Sequence, residues 1–168
     1  MQYINYFLSP LGKILLAAEQ EGLTGLWFHG AKYYADGLDP EHEERDTPVL
    51  KQAGEWLNVY FSGREPDFMP PIHMTGTPFQ LEVWKILQAV PYGETTTYKE
   101  IAGKIAGQRG IERMSAQAVG GAVGHNKISL IVPCHRVLGA DGSLTGYAGG
   151  TDKKEWLLAL EKRQKGGR

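Results

Sequence analysis

The sequence predicts an α+β protein of two domains, and three observations carry that reading. The first 30 residues read as short strands separated by turns, followed by one helical pattern. A connector, "GREPDFMPPIHMTG", then brings three prolines and no helical periodicity. Beyond it the chain reads as a series of short helices. The boundary is expected near residue 76, giving domains 1–76 and 77–168.

The elements follow in order. "YINYFLS", "KILLAAE" and "LTGLWF" are apolar runs joined by "SPLG" and "QEG", which predicts an antiparallel meander. "GAKYYADGLDPEHEERD" is polar and turn-rich, and is expected to be a loop with little fixed structure. Thr47 is a fitting N-cap, with Pro48 at the first helical position. Val49, Ala53, Trp56, Leu57, Tyr60 and Phe61 then recur at helical spacing, and Gly63 marks a stop. These aromatics read as core. In the second half, Thr77, Pro78 and Gln80 give an N-cap, a proline at N1 and a capping box. Phe79, Val83, Leu87 and Val90 share one face of that helix, which Pro91 closes. Thr97 and Glu100 form a second capping box, opening "YKEIAGKIAG", and Ser115 caps "AQAVGGAVG". Helix, loop, helix in this order is compatible with a helix-turn-helix.

Composition bounds the chemistry. No apolar run approaches the roughly 20 residues of a membrane span, and "MQYINYFLSP" lacks a secretory pattern. One cysteine among 168 residues cannot form an internal disulfide, so a reducing, cytoplasmic setting is expected. It also argues against a multi-cysteine zinc site, and no metal or cofactor is expected. The net charge of −1 conceals an asymmetry. Residues 1–76 carry five Lys/Arg against eleven acids, residues 77–168 thirteen against eight. A basic second half attracts phosphates, unless the charges are simply scattered over solvated surfaces.

Two stretches stand out. "SAQAVGGAVG" is almost all Ala and Gly, although each glycine inside a helix costs about 1 kcal/mol relative to Ala. Something must come close to that backbone: either a packed helix or a bulky ligand such as a nucleic-acid groove. "ISLIVPCHRV" holds the lone Cys134. The apolar run places the thiol at the end of a buried strand or extended segment, which Pro133 terminates, so the residue is expected to emerge into a cleft. His135 and Arg136 favour thiolate over thiol by charge. Adjacent side chains on an extended chain point apart, so His135 reaches the sulfur only if the backbone turns, or through a water. His29, His42, His73 and His125 sit in no catalytic string.

"PCHRV", preceded by "AVGGAVGHN" and followed by "GSLTGYAGG" and "KEWLLALE", resembles the O6-alkylguanine-DNA alkyltransferases, the bacterial inducer-independent type most closely. The likeness covers roughly residues 77 to 161; the first half is only compatible with that family's small ribonuclease-H-like domain. The resemblance implies a winged helix-turn-helix-like second domain and a site made residue by residue. Cys134 would accept the alkyl group, and His135 would deprotonate it through a bound water. Glu161 would orient that histidine, and Asn126 would brace the segment before the cysteine. Tyr98 would help rotate the nucleotide and donate a proton to it. Ser115, Ala116, Gln117, Ala118, Gly120 and Gly121, with Arg136, would face double-stranded DNA through its minor groove. Val123, Ser129, Tyr147, Ala148 and Gly149 would line the pocket for the flipped base.

Physical reasoning agrees at three places. A minor groove about 6 Å wide rejects large side chains on an entering helix. An O6-alkyl carbon lies inside the duplex, so the base must be flipped. The product is a thioether, which water does not cleave, so each molecule would act once. The sequence departs from the resemblance where Gln117 replaces an intercalating arginine and Lys127 replaces a proline. The expected activity is alkyl transfer from O6-alkylguanine, and from O4-alkylthymine, by a monomer. The alternative is a protein that binds alkylated DNA without reacting and flags lesions for other factors.

Overall fold

The computed structural model describes residues 1–144, 147 and 149–166, the last three by backbone alone. Strands β1 (Gln2–Ser9), β2 (Gly12–Ala18) and β3 (Leu23–Phe28) form the antiparallel meander that the sequence predicts, with Tyr3 opposite Ala18 and Ile14 opposite Phe28. A fourth strand, β4 (His42–Glu44), adds in parallel to β1, giving the order β3-β2-β1-β4. It falls in the stretch expected to have little fixed structure. The reason lies in β2, whose "ILLAA" is apolar on both faces. Ile14, Leu16 and Ala18 face the main core, whereas Leu15 and Ala17 face the other way. Ala35 and Leu38 fold back over Leu15, Ala17 and Trp27, so the polar stretch covers the sheet's second face.

Helix α1 (Pro48–Phe61) begins as predicted, with the Thr47 hydroxyl accepting the Leu50 amide at 3.2 Å. It lays Leu50, Ala53, Trp56, Leu57 and Tyr60 into the main core. The connector is not free: the Leu23 amide donates to the Pro71 carbonyl and the His73 amide to the Leu23 carbonyl, both at 2.8 Å.

Helix α2 (Pro78–Gln88) has the full capping box, Thr77 and Gln80 each accepting the other's backbone amide at 3.1 Å. The short strand β5 (Thr96–Thr97) leads into α3 (Tyr98–Arg109). Its predicted box is half made. The Thr97 hydroxyl accepts the Glu100 amide, but the Glu100 carboxylate takes the Thr96 hydroxyl at 3.0 Å. Gly110, in the left-handed region at φ 64°, ends α3. Helix α4 (Ala116–Gly124) is capped by Ser115 and packs on α2 and α3. One turn of 3₁₀ helix, Cys134–Arg136, leads into β6 (Val137–Leu138), which runs parallel to β5. Helix α5 (Thr151–Gly166) follows.

Both halves share one buried cluster, in which Leu16, Phe28 and Leu57 meet Trp84, Ile101, Val132 and Leu157. The change near residue 76 is a change of element type, not a break in the core. Among the described residues no helix is long and apolar enough to cross a membrane.

Candidate active site

Helix α4 leaves open space beside two of its glycines. A Cβ built on Gly121 or Gly124 would meet nothing within 4 Å, and one on Gly120 would meet only the Tyr98 ring at an ordinary 3.8 Å. Packing within the protein therefore does not require small residues there. The inner side holds Val119, Ala122 and Val123 in the core, and Trp84 Nε1–H donates to the Ala122 carbonyl at 2.8 Å. Ser115, Ala116, Gln117, Ala118 and Gly121 are exposed, and Gly120 is half-buried.

After α4, Asn126 organises the chain. Its Oδ1 accepts the Ile128 amide at 3.0 Å, and its Nδ2 donates to the Val132 carbonyl at 2.8 Å. The Leu26 amide donates to the Lys127 carbonyl, and the Ser129 amide to the Leu26 carbonyl, so this segment is stitched to β3. The pairing ends there. Leu130 takes φ 71°, a left-handed conformation costly for leucine, and the chain folds into a tight loop. The extended run expected before the cysteine is thus a single bridge followed by a turn. Asn126 bonds both ends of that turn and holds it.

Cys134 opens the 3₁₀ turn and is 4% exposed. Burial pushes its thiol up from the ordinary value; Asn126, the Lys154 charge and Ser129 oppose that and favour the thiolate. Burial thus opposes the thiolate that the neighbouring cations were expected to favour. His135 and Arg136 turn away from it, toward Glu161. His135 Nε2–H donates to Glu161 Oε2 at 2.6 Å, and Arg136 donates through Nε to Oε1 at 2.8 Å and through Nη2 to Oε2 at 3.1 Å. Arg136 Nη1 also donates to the Val90 carbonyl at 2.7 Å. Arg136 was expected on the DNA face. Instead it is 7% exposed with its guanidinium committed inside the protein, because a buried Glu161 requires a cation partner.

Burial alone would raise the Glu161 carboxyl, but the hydrogen bond and charge of His135, then of Arg136, hold it well below the usual range. Burial outweighs Glu161 at His135 and lowers its imidazole, which is therefore neutral near pH 7. With its Nε2–H given to Glu161, the lone pair sits on Nδ1, a buried atom with no hydrogen-bond partner among the described residues.

A cavity of about 460 Å³ lies between α4 and the start of α5, walled by Gly120, Gly121, Tyr147 and Gly150 and bordered by Lys32 and Tyr33. Cys134 is not one of its walls, but Tyr147, which is, lies near enough to act on it. The Tyr147 ring is buried, and its hydroxyl is close enough to Cys134 for a thiolate to raise it further. Ser129 lies beside both, without meeting hydrogen-bond geometry to the Tyr147 hydroxyl. Gly149 permits close approach, since a Cβ there would lie 2.7 Å from the Tyr147 ring. Val123, expected in the pocket, is buried in the same cluster as Cys134 and Tyr147 and is not a wall of this cavity. Ala148 lies outside the described residues.

Two residues that the sequence reading did not assign to the site complete it. Lys154 on α5 is 0% exposed, with its ammonium 5.9 Å from the Tyr98 ring centre. Burial brings it from 10.5 down to about 8, and Cys134 opposes that fall. Tyr60 on α1 donates to Glu161 Oε2 at 2.6 Å. Helical spacing placed Tyr60 in the core but gave no sign that its hydroxyl had a partner 101 residues away. For Lys154 the sequence offered no signal, since it sits in the charged run "TDKKE".

Comparison with known proteins agrees with this arrangement in both halves. Residues 2–74 match the model of the 6-O-methylguanine DNA methyltransferase ribonuclease-like domain. Residues 78–163 match that of the 6-O-methylguanine DNA methyltransferase DNA binding domain. The fold and site together place the chain among two-domain cysteine methyltransferases directed at DNA. The chain belongs to the 6-O-methylguanine DNA methyltransferase family. It is 43% identical to the methylated-DNA–protein-cysteine methyltransferase of Methanosarcina acetivorans, over 95% of this chain and 97% of that one. It is 36% identical to the constitutive enzyme of Bacillus subtilis, covering 96% of each. Among solved structures, the Mycobacterium tuberculosis OGT in complex with DNA superposes with a TM-score of 0.82 at 41% identity, covering 96% of this chain and 94% of that one.

Proposed function

We propose that this protein repairs DNA by moving the alkyl group from O6 of guanine to its own Cys134, once per molecule, with O4-alkylthymine as a second substrate class. The observation that carries the reading is the buried Cys134 directly before His135, whose Nε2–H is given to the Glu161 carboxylate, in the half that also carries the outward-facing small-residue helix. The exposed side of α4 enters the minor groove, where its small residues admit the sugar-phosphate walls. Gln117, exposed on the first turn, fills the space left by the flipped base. The base enters the cavity beside Tyr147, and Tyr147 shifts to uncover the sulfur.

His135 Nδ1 takes the thiol proton through a bridging water, which also satisfies that buried atom. Lys154, Asn126 and Ser129 hold the negative charge that develops on sulfur. Sγ attacks the alkyl carbon and the carbon–O6 bond breaks with its electrons to oxygen. Tyr98 at the start of α3 supplies the proton that the departing base requires. The thioether that forms is a poor leaving group, so no water regenerates the thiol. The lone thiol fits a monomer working in a reducing, cytoplasmic setting.

The test is the intact mass of the protein after incubation with a duplex bearing one O6-methylguanine. A net gain of one CH₂ on Cys134, in a burst that stops at one per protein molecule, is expected. Continued turnover, or transfer by Cys134→Ser, refutes the reading. Binding of the duplex with no gain in mass supports the lesion-flagging alternative.

A further inference from the structure

We propose that Tyr60, from the N-terminal half, is a positioning residue for alkyl transfer: its hydroxyl governs how strongly Glu161 draws on the His135 Nε2–H. The inference rests on the alkyl-transfer reading above and assigns the sheet-bearing half a part in the chemistry.

The geometry is specific. Tyr60 Oη donates to Glu161 Oε2 at 2.6 Å, the same oxygen that accepts His135 Nε2–H at 2.6 Å. Tyr60 Oη also lies 3.4 Å from His135 Nε2. One carboxylate oxygen thus serves two short donors that share a corner. The ring cannot swing away. It stacks on Trp56 with centroids 5.2 Å apart and planes 9° from parallel, and meets Tyr92 and His135 edge-on at 6.1 and 6.4 Å. Tyr60 is 0% exposed, so its hydroxyl is held at one aim. For packing α1 onto the sheet, phenylalanine would serve as well and would avoid burying a polar group. The hydroxyl serves Glu161.

Each donor to a carboxylate withdraws charge from it and leaves less for the others. Glu161 Oε1 accepts from the Gly93 amide at 3.1 Å and from Arg136, and Oε2 accepts from Arg136 as well. Tyr60 is the side-chain donor whose removal changes no charge. The ionisable groups facing His135 are Glu161 and Lys154 on α5, Arg136 in its own turn and Tyr60 on α1; Tyr92, on the turn after α2, bears on Glu161 and Arg136. Glu161 favours the imidazolium, whereas Arg136 and Lys154 oppose it. Removing the hydroxyl concentrates charge on Oε2 opposite Nε2–H, so His135 holds its proton to higher pH.

The experiment compares wild type, Tyr60→Phe and a protein with 3-fluorotyrosine placed at position 60 alone. Two quantities are read: the His135 ring-nitrogen NMR shifts against pH in the free protein, and the single-turnover methyl-transfer rate against pH. Tyr60→Phe is expected to move the His135 titration and the acid limb of the rate upward by about half a pH unit, which slows transfer on that limb about threefold. The fluorinated phenol is a stronger donor and moves both the opposite way. If acid unfolds the protein before His135 titrates, the Nε2–H proton resonance at neutral pH replaces the titration, moving downfield in Tyr60→Phe and upfield with 3-fluorotyrosine. His135 shifts and profiles that coincide in all three proteins overturn the role, as does lowered thermal stability with His135 unmoved. A wild type that gains no methyl from alkylated DNA refutes the underlying reading instead.

Discussion

The Ser129 amide donates to the Leu26 carbonyl at 3.1 Å, and the Leu26 amide donates to the Lys127 carbonyl at 2.8 Å. A strand of the first half thereby fixes the segment that delivers Cys134 in the second. Asn126 fixes the other side of that segment by gripping the Ile128 amide and the Val132 carbonyl. Asn126→Ala leaves the Ile128 amide buried without a partner and takes one of two donors from the Val132 carbonyl, which keeps the Cys134 amide, while Leu130 keeps its costly conformation. The expected loss is on the order of 2 kcal/mol in urea unfolding, accompanied by slower alkyl transfer. Unchanged stability would mean that the turn holds itself.

Glu161→Gln should destabilise the fold by about 3 kcal/mol, because Arg136 remains buried without its counter-charge. The pH dependence follows from sign. The Glu161 carboxyl is held below its unfolded value of 4.5, so its contribution is complete above that pH and is lost as pH falls below it. Wild type should therefore lose stability on acidification below about pH 4.5 more steeply than Glu161→Gln. Denaturant midpoints measured across that range check it.

Lys154→Met should slow the reaction of Cys134 with iodoacetamide below about pH 8, where the ammonium is charged and is one of the groups favouring the thiolate. A profile unmoved from wild type would show that Lys154 does not act on the sulfur.

Gly121→Leu separates fold from DNA binding. The position is exposed with open space around it, and leucine is the better helix former, so the free protein should be more stable by about 0.8 kcal/mol. Affinity for duplex DNA should fall roughly tenfold or more, because a leucine obstructs a groove about 6 Å wide. Thermal melts and fluorescence anisotropy measure the two separately; undiminished affinity would remove α4 from the groove.

Much of this was legible in the sequence because it rests on local rules. Thr47, Thr77 and Ser115 cap the helices they precede, and "YINYFLS", "KILLAAE" and "LTGLWF" pair as a meander. What was not legible depends on contacts between distant segments. Strand β4 exists because β2 is apolar on both faces, a need satisfied 20 residues and more away. Arg136 read as a cation for DNA or thiolate because nothing local reveals that Glu161 lies beside it. Burial, which no motif reports, pushes the Cys134 thiol up, against the thiolate that neighbouring cations were expected to favour. The glycines of α4 left two explanations open, and the space around them removes packing within the protein as the reason.

Both Lys154 and Glu161 ride on α5, the last helix in chain order. A growing polypeptide that has already produced its cysteine still lacks the cation beside the sulfur and the acid behind the imidazole. Cys134 thus gains both partners only once synthesis has passed residue 161.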